Sequence, residues 1–429
     1  MKISIIIPTH NRCASLLRTL HPLCADPHLA TSGEVIVVAD GCRDSTATRL
    51  RAGTWPWPLR VLEQDPGRGA AAARNRGAAI AQGRVLLFLD DDIEPCPDLV
   101  ERHLDAHRDA PRRAVVGAYP PALEGPAAPV HVLKRDWWLG RFHEMGQPGH
   151  RFSYRDLLSG NLSLPVALFR ELGGFDDRIG SAGGEDYEFG IRLFAAGAEL
   201  AYEPAAVALH HEHETTDLAR YMRRARQEGL ADVRIAERHP SIRYALPLWH
   251  RHRGGRTQRA ARAAVWAGRF GAPFPLSLTP LLRTAELIGA QRHWLRLCGA
   301  LHEYWYWRGV RDAVGDRDAL ERLLADSVPP EGRELELDLA GTLEAAEGEI
   351  DRVRPDGLRL RYGNFAMGRI APAAATEPLR GRHLRRLLVT ELAWPLLKAK
   401  AAHEALVQGR ATDPMESGYG STAAMARTG

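Results

Sequence analysis

Three consecutive carboxylates, Asp90-Asp91-Asp92, close the apolar run Val85–Leu89. Like charges crowded into a strand-end turn repel one another; a divalent cation removes the repulsion, and a bound diphosphate completes the cation's shell. The pattern reads as a D-x-D motif with Asp92 as metal ligand and Asp90 nearer a ribose, against the alternative of a solvated acidic turn or helix cap. A second acidic pair, Glu185-Asp186, opens a helical stretch, where an acidic pair also suits the helix dipole. His210-His211-Glu212-His213 is a dense imidazole cluster after a short apolar run. It is either a source of metal ligands or a polar surface loop. Trp137-Trp138 could stack on a sugar face or fill a core under a long connection.

Elements that would position these groups follow from hydrophobic runs. Ile3–Pro8, Glu34–Ala39, Leu59–Glu63 and Val85–Leu89 are short apolar segments of strand length. Helical stretches separate them, at Ala14 to Cys24, after Ser45 to Ala52, and from Ala70 to Gln82. Continuous apolar strands alternating with helices imply an α/β fold with a parallel sheet covered on both faces. Ligands bind beyond the carboxyl ends of such strands, which puts Asp40 and Asp90–Asp92 on one rim. From Arg113 to Gly149 the chain is rich in Pro and Gly and reads as irregular connection plus one strand. A turn and strand at Ser159–Leu164 lead to a helix Pro165–Leu172, a Gly-rich loop to Gly184, a helix Glu185–Ala196, and short strands Leu200–Glu203 and Ala206–His210.

Composition sets limits on function. The 429 residues suggest two or three structural units, and 45% hydrophobic with 26% charged residues is ordinary for a globular protein. A net charge of +4 predicts no nucleic-acid partner. Five scattered cysteines without a C-x-x-C pair argue against a disulfide framework or structural zinc and fit a reducing cytosol. The first apolar run is too short for a signal-peptide core, and no run of eighteen apolar residues could span a bilayer. A cytoplasmic location is expected, with peripheral membrane contact left open.

Taken in order, Ser4-Ile5-Ile6-Ile7-Pro8-Thr9-His10-Asn11-Arg12, Val38-Ala39-Asp40-Gly41-Cys42, Gly69 with Ala73-Arg74-Asn75-Arg76-Gly77, and Phe88–Asp92 resemble a family 2 glycosyltransferase of the GT-A fold. The resemblance continues through Gly160-Asn161-Leu162-Ser163 and Gly173-Gly174-Phe175-Asp176 to Gly184-Glu185-Asp186-Tyr187-Glu188, covering residues 1 to 215. It implies a mostly parallel sheet flanked by helices and an inverting transfer of a sugar from a nucleotide-diphosphate donor to a hydroxyl acceptor, in glycan, cell-surface polysaccharide or glycoconjugate synthesis. The donor site would use Pro8, Thr9, Asn11, Arg12, Asp40, Arg74, Asp90, Asp91 and Asn161, with Asp40 accepting from the base. Asp186, paired with Glu185, would be the catalytic base. Asp92 would hold Mn²⁺ or Mg²⁺, with His210 as a third-ligand candidate and His213 as second choice. The acceptor would be a carbohydrate or lipid-linked molecule. Ala39 stands where the family has an acidic residue, and Cys42 where it has serine.

A dinucleotide fingerprint at Gly67-Arg68-Gly69 follows the third strand rather than the first, which excludes a dehydrogenase. Thr9-His10-Asn11-Arg12 is not the Gly-rich loop of a nucleotidyltransferase, and Gln291-Arg292-His293-Trp294 is not the Q-x-x-R-W motif of processive synthases. The remaining rival is a non-catalytic nucleotide-sugar or carbohydrate binding protein of the same fold. The transferase domain is expected over 1–217, followed by an Arg-rich helical region over 218–328. Between Leu218 and Phe270 there are thirteen Arg against three acidic residues. These arginines read as the solvated face of helices or as a surface for an anionic acceptor or membrane. Period-two alternation at Glu334–Leu339 and Gly357–Tyr362 marks a small β-rich module over 331–371. Residues 372–429 would be a helical segment and a disordered tail.

Overall fold

Seven buried residues, Ile3–Thr9, form the first strand, β1. The computed structural model describes residues 2–122, 127–180, 183–268, 274–327 and 330–408, so the expected disordered tail lies outside the described residues. After β1 come α1 (Cys13–Leu23), α2 (Pro27–Ser32), β2 (Gly33–Asp40), α3 (Thr46–Ala52), β3 (Leu59–Gln64), α4 (Ala70–Ile80) and β4 (Val85–Leu89). These strands pair in parallel in the order β3-β2-β1-β4. Ile6, Ile36, Val38 and Phe88 share one core cluster with Ala73 and Ala78 of α4. Ile5, Ile7, Val35, Val37 and Leu87 share another with Leu16 and Leu20 of α1. Burial on both faces explains why these strands read as unbroken apolar runs.

The chain continues through β5 (Ile93–Pro95), α5 (Leu99–Ala106), β6 (Arg113–Ala118), α6 (Pro129–Met145), β7 (Asn161–Pro165), α7 (Val166–Glu171), α8 (Gly184–Ala195) and β8 (Glu199–His210). Among the described residues the sheet has eight strands in the order β3-β2-β1-β4-β7-β6-β8-β5. It is mixed, because β7 runs antiparallel to both β4 and β6. Two expectations are corrected. The connection over 113–149 is not irregular after its strand: Pro129–Met145 is a helix of 17 residues. Pro129 sits in its first turn, where a missing N–H costs nothing, and Trp138 and Phe142 are buried against Tyr119. The short strands expected at 200–203 and 206–210 are one strand, β8, with a register shift opposite Gly117/Ala118.

The register brings Thr9 beside Ala39 and Asp40 beside Gln64, so the carboxyl ends of β1, β2 and β3 form one edge. Asp90 follows β4 on the same edge. The Asp40-Gly41 turn presses on Gly67. Gly41 has φ +66°, and a Cβ there would lie 2.9 Å from the Gly67 nitrogen, so this close approach requires glycine.

Helices α9 (Leu218–Arg238), α10 (Arg256–Trp266), α11 (Phe274–Leu287), α12 (Gln291–Val314) and α13 (Arg317–Ala325) follow in the same compact unit. The backbones of α9 and α12 touch where Gly229 meets Tyr306 and Gly309 meets Arg226, leaving no room for a Cβ. At this crossing Tyr306 Oη donates to Asp232 Oδ2 at 2.6 Å, and both side chains are buried. Burial pushes the Asp232 carboxyl up to about 7. An unfolded Asp ionises near pH ~3.9, so this site should lose stability as pH rises from about 4 to 7. We expect Asp232→Asn, which keeps an acceptor for Tyr306, to be more stable than wild type at pH 8 by on the order of 2–4 kcal/mol and equal to it near pH 4. Denaturant unfolding across that range checks the sign; a variant equally destabilised at both ends would refute it.

A second unit comprises the described residues of Gly332–Pro372 and Pro378–Gly429. It holds β9 (Glu334–Asp338), α14 (Leu343–Val353), β10 (Gly357–Tyr362), β11 (Phe365–Ile370), α15 (Gly381–Thr390) and α16 (Ala393–Val407). The two strands read from alternation are parallel, with α14 as their crossover, and β11 adds to the far edge of β10. Leu337, Ile350, Leu358, Leu360 and Leu384 form its core. Among the described residues, no helix of the chain is long and apolar enough to cross a membrane.

Candidate active site

Asp91 and Asp92 are buried at the end of β4, and Arg12 compensates both. Its Nη1 donates to Asp91 Oδ1 and Asp92 Oδ2, each at 2.9 Å. Thr9 Oγ1 donates to Asp91 Oδ2 at 2.7 Å. Burial, aided by the neighbouring Asp92 charge, pushes the Asp91 carboxyl up to about 6. Burial also opposes the Asp92 charge, but His210 and Arg12 outweigh it and hold that group well below the usual carboxylate range. His210, the last residue of β8, places Nε2 3.6 Å from Asp92 Oδ1, an ion-pair distance rather than a hydrogen bond. Its buried Nδ1 has no hydrogen-bond partner. His213 instead groups with His211 and Glu214, and Arg18 clamps the Glu214 carboxylate at 2.7 and 2.6 Å. That clamp leaves the second histidine group with its carboxylate already engaged.

Asp90 is partly exposed and pairs with Arg74 of α4, Nη2 to Oδ1 at 2.6 Å. The other arm of Arg74 reaches Glu185 Oε1 at 3.3 Å. Arg74 is only 4% exposed, so it is a buried bridge between the β4 turn and α8 rather than a surface arginine. Glu185 Oε2 accepts from the Gly183 N–H at 3.0 Å, which leaves neither oxygen of that carboxylate unengaged. Asp186 differs. Its Oδ2 accepts from the Ser159 N–H at 3.1 Å, while its buried Oδ1 has no hydrogen-bond partner. Burial first, and the adjacent Glu185 second, raise its pKa well above the usual carboxylate range. A buried carboxylate with one anchored and one unspent oxygen is suited to taking a proton.

Asp40 is held by the Gly-rich loop. Its Oδ1 accepts from Arg68 N–H and Gln64 Nε2, and its Oδ2 from Gly69 N–H, all at 2.7 Å. Asn161 opens β7. It is fully buried, its amide donates to the carbonyls of Ala206 and Ala118 at 3.0 and 3.3 Å, and its Oδ1 meets His103 Nε2 at 2.9 Å. Its polar atoms tie β6, β7 and β8 together. Pro8 is buried within β1, whereas Asn11 is exposed at φ 52° and accepts from the Arg43 N–H at 2.7 Å. The tryptophan pair splits. Trp138 is core, with Nε1 donating to Glu212 Oε2 at 2.8 Å, while Trp137 is 43% exposed. Sequence reasoning missed Glu212 as a junction, and only its place among the histidines could have drawn attention to it. It also pairs with Lys134 Nζ at 3.3 Å and Arg224 Nη1 at 3.7 Å.

A strand-end rim of aspartates, a Gly-rich loop over Asp40 and an acidic pair at the start of α8 are the arrangement expected from the GT-A resemblance. Residues 4–173 match the family described as Glycosyl transferase family 2, and residues 140–214 match the N-terminal domain of galactosyltransferase. Within residues 4–173 the chain is thus similar to glycosyl transferase family 2. It is 31% identical over 263 residues to validoxylamine A glucosyltransferase of Streptomyces hygroscopicus subsp. jinggangensis, covering 56% of this chain and 61% of that protein. Over 241 residues it is 31% identical to the pre-mycofactocin glycosyltransferase of Mycobacterium tuberculosis, covering 56% of this chain and 48% of that one. The chain thus spans about half to three-fifths of these curated relatives. Among solved structures, the mannosyltransferase PcManGT from Pyrobaculum calidifontis, in complex with GDP-Man and Mn²⁺, is 19% identical with a TM-score of 0.46, covering 71% of this chain and 85% of that one.

Proposed function

We propose that the chain is an inverting glycosyltransferase that moves a sugar from a nucleotide-diphosphate donor to a hydroxyl of a carbohydrate or lipid-linked acceptor, in glycan, cell-surface polysaccharide or glycoconjugate synthesis. The observation that carries this reading is Asp186, a buried carboxylate with one oxygen anchored by Ser159 and the other unspent, on the rim that bears Asp90–Asp92. A carboxylate of raised pKa there takes the acceptor proton as the acceptor oxygen attacks the anomeric carbon. Arg74 and the Gly183 N–H hold Glu185 aside, so that Asp186 is the free base of the pair.

Asp92 and His210 fit a divalent cation. Their nearest atoms, a carboxylate oxygen and an imidazole nitrogen, are 3.6 Å apart without being hydrogen-bonded, and Asp91 beside them crowds negative charge into a buried turn. A bound Mn²⁺ or Mg²⁺ would neutralise charge on the departing nucleoside diphosphate. Arg12 balances Asp91 and Asp92 in the protein itself. The loop that secures Asp40 fixes this carboxylate at the rim, beside the Pro8–Asn11 turn proposed to line the base.

Calorimetric titration with UDP, GDP and dTDP, each with and without Mn²⁺, tests the donor site. We expect metal-dependent binding of one nucleotide, weakened about tenfold or more in Asp92→Ala, because even outer-shell partners of metal ligands are worth that much. No nucleotide binding in the wild type would refute the reading. Binding without turnover of any donor would favour the non-catalytic alternative.

A further inference from the structure

The first turns of α9 carry arginines that the protein engages only loosely. Arg220, Arg223, Arg224 and Gln227 line a cavity of about 340 Å³, within the range of small-ligand pockets. Arg12, Arg74, Arg192 and Arg251 of the same unit are committed to carboxylates at 2.6 to 3.3 Å. Here the pairings are loose. Arg224 lies 3.7 Å from Glu212 and 3.6 Å from Glu228, and Arg220 reaches only the Thr215 carbonyl, at 3.5 Å. Arg223 is exposed and has no hydrogen bond or ion pair among the described residues.

The cavity adjoins the catalytic rim. Arg220 is close enough to Arg12 and Asp92 to feel both charges; burial first, then Arg12, lowers its pKa. The Arg224 guanidinium lies 3.5 Å from where a Cβ on Gly183 would stand, two residues before Glu185. Residues 220, 223 and 227 share one face of α9 and span about 10 Å along it at 1.5 Å per residue. Arg220 and Arg224 thus lie beside the rim that carries Asp92 and Glu185.

We infer that this arginine-walled cavity is a subsite for a phosphoryl group of one of the substrates, held by Arg220 and Arg223 with Arg224 behind them. Planar guanidinium forks match phosphate oxygens two at a time, and loosely paired forks around one cavity are free to turn to an oxyanion. The inference rests on the glycosyltransferase reading for its two sources of phosphate: the diphosphate of the donor, or a phosphate carried by the acceptor.

The test uses inorganic pyrophosphate as probe on the full chain, by calorimetry in EDTA. The wild type should bind it with an affinity that falls as salt rises. Arg223→Ala should weaken binding roughly tenfold, about the worth of one charge-assisted hydrogen bond, and Arg223→Lys should restore part of it. Arg220→Ala should act likewise, with an unchanged unfolding temperature showing that the loss is not one of fold. Displacement of pyrophosphate by the nucleoside diphosphate that binds with Mn²⁺ would assign the subsite to the donor. Simultaneous binding of both would assign it to a phosphate-bearing acceptor. Absence of pyrophosphate binding, or binding indifferent to both substitutions, overturns the subsite even where Mn²⁺-dependent nucleotide binding stands. The converse result, Arg223-dependent pyrophosphate binding with no nucleotide bound, would sink the donor reading and leave the anion site.

Discussion

Replacing Asp186 by Asn should lower sugar transfer by about 10²–10⁴-fold while leaving donor binding intact, the range expected for loss of a positioned base. Asparagine is nearly isosteric and can still accept from the Ser159 N–H through its carbonyl oxygen, so the loss isolates basicity from shape. Two further signs belong to the same assignment. Burial and Glu185 raise the Asp186 pKa, so the proton-accepting form is populated only at higher pH than for an ordinary aspartate. The acidic limb of kcat/KM should be displaced upward accordingly and be absent from the residual activity of the variant. In addition, a carboxyl whose folded pKa is raised loses its stabilising proton as pH rises through that pKa. Asp186→Asn should therefore be at least as stable as wild type above neutrality. Near-normal transfer by the variant would remove Asp186 as base; lost transfer together with lost nucleotide binding would point to a structural role instead.

The second large effect is on stability. Arg74→Ala should cost about 3–5 kcal/mol, because it strips two carboxylates at a buried site of a shared counter-charge. Arg74 pairs with Asp90 at 2.6 Å and Glu185 at 3.3 Å, and its guanidinium lies 5.6 Å over the Phe175 ring. Arg74→Lys should recover only part of the loss, since a single ammonium lacks the fork that reaches both acids. The deficit should shrink toward acidic pH as the stranded carboxylates take up protons. Chemical unfolding at pH 5 and pH 8 measures both effects. A cost below about 1 kcal/mol would place Arg74 among ordinary surface pairs.

Where the site could be read in advance, the reason is local. Strands β1, β2 and β4 are apolar throughout because both sheet faces are covered, and a parallel sheet puts their carboxyl ends on one edge. The rim bearing Asp40 and Asp90–Asp92, and the acidic start of α8, follow from that pattern and from resemblance to a family. Helix α6 was obscured because 113–149 is rich in proline and glycine. Pro129 nevertheless occupies a first turn, and Gly140 lies within the helix at a position where no atom crowds it.

The sequence by itself determined the alternation of strands and helices, the resemblance to a family, and which carboxylates stand at strand and helix ends, since each depends on neighbours along the chain. Only the tertiary structure decided what those groups touch. It buried Asn161 among three strands, turned Arg74 into a bridge between Asp90 and Glu185, and left one oxygen of Asp186 unspent. It set His210 rather than His213 beside Asp92, and brought the first turns of α9 to the rim. Partners such as Arg74 and Glu185, 111 residues apart, are chosen by packing and desolvation across the fold, which no local pattern encodes.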